Sequence, residues 1–155
     1  LILFLHADTV LPSDAETVLR SATGTGDNYW GRFDVRLEAP GSVYRLIESA
    51  MNWRSRLTGI ATGDQAMFVS RVLFERCGGF PRIGLMEDVA LSTELRRHTR
   101  PICLRARVKT SARRWRRDGV AATVLKMWYL RAAFFFGVSP ERLRGIYERP
   151  DAIDR

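Results

Sequence analysis

Glu87 and Asp88 are adjacent carboxylates at the point of the sequence that most strongly suggests chemistry. They directly follow the apolar pair Leu85-Met86, and the segment after them predicts a helix with Asp88 as its N-cap. Both side chains would then lie near the positive end of the helix dipole. A carboxylate fixed in this way can act as a general base, although such a pair more often only caps a helix.

A second candidate site follows the first apolar run. Residues Leu1 to Leu5 predict a strand that is buried on both faces, and its carboxyl end delivers His6 and Asp8. Side chains two apart in an extended segment point the same way, so this pair can face one ion. Carboxylate oxygen suits Mg²⁺ or Mn²⁺, and imidazole is acceptable to Mn²⁺. Taken alone, the segment His6-Ala7-Asp8 would more often simply form a turn that ends at Thr9.

A third group of polar residues stands before another apolar run. Gly63, Asp64 and Gln65 precede a strand predicted over residues 66–70. Short polar side chains beside a glycine can approach a ligand closely, so this group is a candidate binding site.

Three motifs occur in a fixed order between Gly63 and Arg97: G-D-Q, F-x-x-C-G-G-F-P and M-E-D-V-x-L-S-x-x-L-R-R. This order resembles the acceptor-side half of family 2 glycosyltransferases, most closely the selenodomain-associated transferases. The resemblance extends from Leu3 to about Tyr147. It implies an α/β fold of the GT-A type, with a mixed central sheet flanked by helices and an amino-terminal nucleotide-binding half upstream of Leu1.

The resemblance also implies a reaction and a set of roles. The reaction would be metal-assisted, inverting transfer of a sugar from a nucleotide-sugar donor to the hydroxyl of an unknown acceptor. Asp88 would be the base and Glu87 would support it, while Asp8 and His6 occupy the place of the Asp-x-Asp motif that holds Mg²⁺ or Mn²⁺. The residues expected to bind substrate are Gly63, Asp64, Gln65, Arg113, Arg114 and Trp115.

The net charge of +8 indicates an anionic partner. A nucleoside diphosphate, nucleic acid and acidic lipid headgroups all satisfy this charge, and the resemblance favours the first. The segment from Arg113 to Arg117 combines phosphate-binding arginines with the stacking face of Trp115, although basic runs are most often solvated. Nucleic acid is therefore not expected as the partner.

The segment from Gly119 to Val138 predicts a helix that is apolar on most sides. Lys126 and Arg131 argue against a membrane span, so this helix could cover the sheet, bind a partner or lie in a bilayer interface. Two cysteines without metal-ligand spacing indicate reduced thiols. We expect a cytoplasmic protein, with peripheral contact at the inner membrane face as a further expectation.

Periodicity predicts the remaining elements. Helices are predicted from Ser13 to about Ala22 and from Ser42 to Leu57, and strands from Phe33 to Leu37 and from Ile102 to Val108. The second helix carries apolar residues at helical spacing, interpreted as core packing: Val43, Leu46, Ile47, Ala50 and Met51. Residues 1–148 are predicted to form the carboxyl-terminal portion of one glycosyltransferase domain, followed by a tail over residues 149–155. Alone, this portion is expected to be inactive and poorly soluble, because its sheet would expose an unpaired edge.

Two other functions are compatible with parts of the sequence. The first ten residues resemble the nucleophile motif of haloacid-dehalogenase-like phosphohydrolases, but His6 stands in place of the nucleophilic aspartate. A basic module that binds RNA or an anionic membrane would use the segment from Arg105 to Arg117 together with the helix around Trp128.

Overall fold

A computed structural model describes residues 1–148 of the chain. The predicted tail, residues 149–155, lies outside the described part. The chain forms two compact units. Unit 1 comprises Leu1–Phe80 and Asp88–Ala112, and unit 2 comprises Pro81–Glu87 together with the chain from Arg113 onward.

Unit 1 contains a five-stranded mixed sheet, which confirms the α/β class. The strands lie in the order β1-β4-β3-β5-β2. The long central strands β3 and β5 are parallel, and the other neighbours are antiparallel. The strand bounds are β1 Ile2–Phe4, β2 Thr9–Val10, β3 Trp30–Glu38, β4 Met67–Val69 and β5 Ile102–Ser111.

Helices precede or follow most of these strands along the chain. They are α1 Ala15–Thr23, α2 Ser42–Thr58, α3 Arg71–Arg76 and α4 Glu87–His98, with a short 3₁₀ helix at Gly63–Gln65. The later helices are α5 Arg113–Asp118, α6 Val120–Phe135 and α7 Pro140–Glu148. Helix α4 begins at Glu87, so Asp88 is the second residue of its first turn, and the prediction that Asp88 is the N-cap is wrong by two positions.

Helices cover both faces of the sheet. One face packs on α1, because Phe33, Phe68 and Leu104 of the sheet share a buried core cluster with Leu19 of that helix. The opposite face packs on α3 and α4 through residues contributed by β3, β4 and both helices: Trp30, Met67, Val69, Leu73, Leu91 and Leu95. This two-sided burial fixes the strands whose ends carry the candidate site.

The first strand departs from its prediction. β1 lies at the edge of the sheet, paired on one side with β4. Its residues Ile2–Phe4 are only half-buried, and Leu1 and Leu5 are exposed. The prediction of a strand buried on both faces is therefore wrong for β1 in this five-stranded sheet. An edge strand has one neighbour, and its side chains are covered less completely.

Helix α2 also departs from its prediction, since it contacts the sheet through polar side chains. β3 pairs with β4 only as far as Arg32, and α2 lies along the free edge beyond that point. The amide of Asn52 bonds both the N–H and the carbonyl of Val35, at 2.9 and 3.1 Å. Glu48 accepts the N–H of Leu37 at 2.6 Å. Most of the apolar stripe predicted to be core is consequently not buried, with Ile47 the exception.

Candidate active site

Three predicted residues of unit 1 come together beyond the end of β1. His6 and Asp8 follow that strand, and Asp64 lies in the 3₁₀ helix Gly63–Gln65. One ligand atom from each side chain lies within 4.8 Å of those of the other two. His6 Nδ1 lies 2.5 Å from Asp8 Oδ1, and the Thr110 hydroxyl donates to the same oxygen at 3.4 Å. The structure thus brings the predicted His6 and Asp8 pair together and adds Asp64 to it.

Asp88 lies beside this group and is held by two backbone donors. Its Oδ2 accepts the N–H of Gly63 at 2.8 Å, and its Oδ1 accepts the N–H of Val89 at 2.7 Å. A Cβ atom placed on Gly63 would stand 3.9 Å from Asp88 Oδ2 and 4.0 Å from the Cδ2 atom of His6. The side chains of Asp88 and His6 therefore both border the position of Gly63.

Gln65 was predicted to bind substrate, and its side chain lies inside unit 1. Its side chain is completely buried, with 0% exposure. Its Oε1 accepts the N–H of Thr62 at 3.3 Å, and its Nε2 donates to Asn52 Oδ1 at 3.4 Å. The Gln65 amide fixes the turn that presents Asp64, because both ends of the amide are bonded inside unit 1. Its substrate-binding role stays a prediction.

The backbone is unusual close to two of the carboxylates. Among residues 1–148, the non-glycine residues with positive φ are Ala66 at 46° and Met86 at 67°. Each lies two positions along the chain from a site residue, Ala66 from Asp64 and Met86 from Asp88. Left-handed backbone in a side-chain-bearing residue is disfavoured and concentrates at functional sites, where the surrounding structure holds it.

The remaining predicted residues belong to unit 2. Glu87 is exposed at the start of α4, and Arg113, Arg114 and Trp115 open α5. The Arg114 guanidinium lies 4.9 Å from the ring centre of Tyr147. This cation–π contact fixes the position of one arginine in the predicted substrate-binding cluster.

The basic helix α5 ends in a carboxylate that its own arginine holds. Arg117 Nε donates to Asp118 Oδ1 at 2.5 Å, and this hydrogen bond lowers the pKa of the Asp118 carboxyl. Nearby positive charges, including those of Arg117, Lys126 and Arg114, act in the same direction. Asp118 thus stays charged and offsets part of the positive charge of α5.

The donor set of the unit 1 cluster suits a hard divalent cation. Asp8 and Asp64 supply carboxylate oxygens, which Mg²⁺ and Mn²⁺ prefer, and His6 supplies imidazole nitrogen, which Mn²⁺ accepts. His6 Nδ1 is engaged by Asp8, which leaves Nε2 as the nitrogen available to an ion. The residues present therefore fit the predicted metal.

Asp64 was predicted to bind substrate and was not grouped with His6 and Asp8. The pairing of β1 with β4 is the information that would have grouped the three residues. The antiparallel register places Phe4 opposite Met67, so the start of β4 lies beside the end of β1. The residues just before β4 must then lie near those just after β1. Sequence periodicity gives no pairing partners, and Asp64 could have been assigned to the cluster only once that pair was known.

Comparison of the chain with protein-family models, curated proteins and solved structures gives no match. Within residues 1–148, each helix is too short or too polar to cross a bilayer. Function is therefore inferred from the chemistry and geometry of the residues themselves.

Proposed function

We propose that the protein is a metal-dependent glycosyltransferase with a GT-A type of fold, which transfers a sugar from a nucleotide-sugar donor to an acceptor hydroxyl with inversion. The observation that carries this proposal is the convergence of His6, Asp8 and Asp64 with Asp88 around Gly63. A hard-cation ligand set beside a separately held carboxylate is what such a displacement needs. The mixed sheet and the order of the sequence motifs agree with this proposal.

Asp8, Asp64 and His6 are the residues that would hold Mg²⁺ or Mn²⁺. When bound, such an ion supplies positive charge that stabilises a leaving diphosphate. The Thr110 hydroxyl, donating to Asp8 Oδ1, fixes the orientation of this carboxylate before any ligand arrives. A ligand set oriented in advance loses less free energy to ordering when the ion binds.

Asp88 has the role of general base. The N–H groups of Gly63 and Val89 each bond a different carboxylate oxygen, so the orientation of the side chain is fixed. Each oxygen keeps a lone pair that can receive the proton of an acceptor hydroxyl. The absence of a side chain at Gly63 leaves space next to Asp88 Oδ2, where such a hydroxyl could approach.

The residues of unit 2 have supporting roles in the proposal. As the resemblance implies, Arg113 and Arg114 are expected to bind phosphate, and Trp115 would offer a stacking face. Glu87 would support Asp88. As part of this proposal we place the protein in the cytoplasm, where free cysteines such as Cys77 and Cys103 stay reduced.

The metal role is tested by titrating Mn²⁺ in the presence of a nucleoside diphosphate, with electron paramagnetic resonance to count free ions. Asp8→Ala and Asp64→Ala should each weaken binding, because each removes one carboxylate ligand. Asp27→Ala removes an exposed carboxylate elsewhere in unit 1 and is the matched control. Binding that is unaffected by both ligand variants would remove the metal site from the proposal.

The base role is tested by measuring nucleoside diphosphate release from a panel of nucleotide sugars. In the complete enzyme, Asp88→Asn should lower kcat by roughly 10²-fold or more, because a positioned base typically contributes 10²–10⁴. Mn²⁺ binding should be unchanged in this variant, which separates loss of the base from loss of the metal. Glu87→Gln should cost less, and near-normal turnover by Asp88→Asn would exclude Asp88 as the base.

A further inference from the structure

Helix α2 carries an exposed apolar stripe. Val43, Leu46, Ala50, Trp53 and Leu57 are spaced three and four residues apart, so they lie along one face. Leu46 is 71% exposed and Trp53 is 67% exposed. A surface helix normally turns such a stripe toward the core, whereas α2 turns its polar residues to β3 and the apolar ones to solvent.

Basic side chains of the sheet adjoin this stripe. Arg105 and Arg107 of β5 line one cavity of about 380 Å³ together with Trp53 and Arg56 of α2 and Asp34 of β3. The parallel register places Arg107 beside Asp34, and the next pair along the strands adds two more exposed cations, Arg36 and Lys109. The apolar stripe and the basic row therefore meet at Trp53.

The charges of this surface are not neutralised within unit 1. Asp34 is engaged by Arg32 and Arg56. Arg105 and Arg107 make no hydrogen bond or ion pair with the described residues of the chain. Glu38 is the exposed carboxylate on the same row of β3. Four cations thus face solvent beside one free carboxylate.

We propose that the α2 stripe and the basic row of β3 and β5 form a docking surface for a membrane that contains anionic phospholipid. The apolar residues would enter the interface between headgroups and acyl chains, and Arg105 and Arg107 would contact headgroup phosphates. Tryptophan is favoured in that interface because one edge is apolar and its N–H is polar. Basic residues next to a buried apolar helix face are the usual source of affinity for anionic lipid.

The combination of positive charge and an apolar stripe favours an anionic membrane over nucleic acid and over a second copy of the chain. Nucleic acid would engage the arginines and Trp53, but its polar surface gives Leu46 and Leu57 nothing apolar to contact. A second copy of the chain could cover the stripe, but a symmetric pair would bring two sets of like charges together. An anionic bilayer satisfies both the charge and the apolar stripe.

The charge component is tested by co-sedimentation of the full chain with phosphatidylcholine vesicles, with and without phosphatidylglycerol. Binding should require the anionic lipid and should weaken as salt is added. One basic residue near an anionic surface contributes ~1 kcal/mol, or roughly fivefold in affinity, so R105Q/R107Q should weaken binding about 25-fold. R76Q/R100Q removes the same charge from other exposed positions of unit 1 and should change binding much less.

The apolar component is tested with a matched pair of double variants. L46S/W53S should weaken vesicle binding more than about tenfold, because burial of such side chains contributes more than the ~1.4 kcal/mol to which tenfold corresponds. L125S/W128S on α6 removes the same residue types at nearly equal exposure, 68% and 70%, and should leave binding unchanged. Circular dichroism checks that both variants keep the fold.

Several results would overturn this proposal. They include the absence of binding to anionic vesicles, binding by L46S/W53S that equals binding by the parent chain, and loss of binding in L125S/W128S. RNA binding that depends on Arg105 and Arg107 but not on Leu46, without vesicle binding, would reassign the surface to nucleic acid. A dimer in light scattering that L46S/W53S dissociates would assign it to self-association. None of these measurements depends on transferase activity, so their outcome is separate from that of the proposed reaction.

Discussion

Asp34→Asn should be a strongly destabilising change, because Asp34 is the carboxylate that pairs with a fully buried arginine. Arg32 has 0% exposure. Its guanidinium donates to Asp34, to the Ser55 hydroxyl at 3.0 Å and to the carbonyl of Asn52 at 3.0 Å. Asp34 also accepts from Arg56 at 2.7 Å. An amide at this position would leave two guanidinium groups facing a neutral side chain.

The magnitude follows from which of these charges is buried. Removing one partner of a buried ion pair typically costs 3–5 kcal/mol, since the other charge stays uncompensated. Arg32 keeps its bonds to Ser55 and Asn52, and the Arg56 side chain is 32% exposed, so water screens part of its charge. We therefore expect a loss at the lower end, about 3 kcal/mol of unfolding free energy. For a chain of this size, that corresponds to a fall in Tm of roughly 10 °C.

The assay is urea unfolding followed by circular dichroism, with Asp34→Asn compared with the parent chain. Glu38→Gln removes an exposed carboxylate from the same strand and should change stability by less than about 0.5 kcal/mol. The double variant R32M/D34L should be less destabilised than Asp34→Asn alone, because it leaves Arg56 as the single unpaired cation, partly in water. A loss below about 1 kcal/mol for Asp34→Asn would refute the reasoning.

Two further predictions concern a glycine and a cysteine. Gly31→Ala should cost more than about 2 kcal/mol in urea unfolding, because its Cβ would lie 2.2 Å from the backbone oxygen of Ile102. Gly145→Ala, where nothing lies within 4 Å, should instead gain up to about 1 kcal/mol. Burial, followed by the charge of Glu94, raises the pKa of the Cys77 thiol. Glu94→Gln should therefore speed alkylation of Cys77 at a fixed pH below that pKa, measured with the other cysteine replaced by serine, and an unchanged rate would contradict this cause.

Local periodicity was sufficient to predict most elements of the sheet and its helices. The helix predicted from Ser42 to Leu57 is Ser42–Thr58 in the structure, and the one predicted from Ser13 is Ala15–Thr23. The alternation from Phe33 to Leu37 marks the middle of Trp30–Glu38. These predictions succeeded because spacing along the chain determines which side chains share one face of a helix or strand.

The candidate site was predicted in part, and the remainder depended on contacts distant in sequence. His6 and Asp8 are two residues apart, so an extended backbone is enough to bring them together. Asp64 joins them through the pairing of β1 with β4, and Asp88 joins through the N–H of Gly63, 25 residues away. Sequence alone gave the types of these residues but not their distances from one another.

Helix α2 shows why its apolar spacing led to a wrong prediction. β3 continues past the end of β4, so its backbone groups from Val35 onward face no strand on that side. Such groups need partners, since an unpaired buried N–H or carbonyl is costly. Asn52, Glu48 and Arg45 supply these partners from one side of α2, with Arg45 donating to the carbonyls of Leu37 and Ala39. Once that side faces β3, helical geometry directs the apolar residues to solvent. The same bonds that complete the sheet edge therefore create the exposed stripe that we assign to membrane contact.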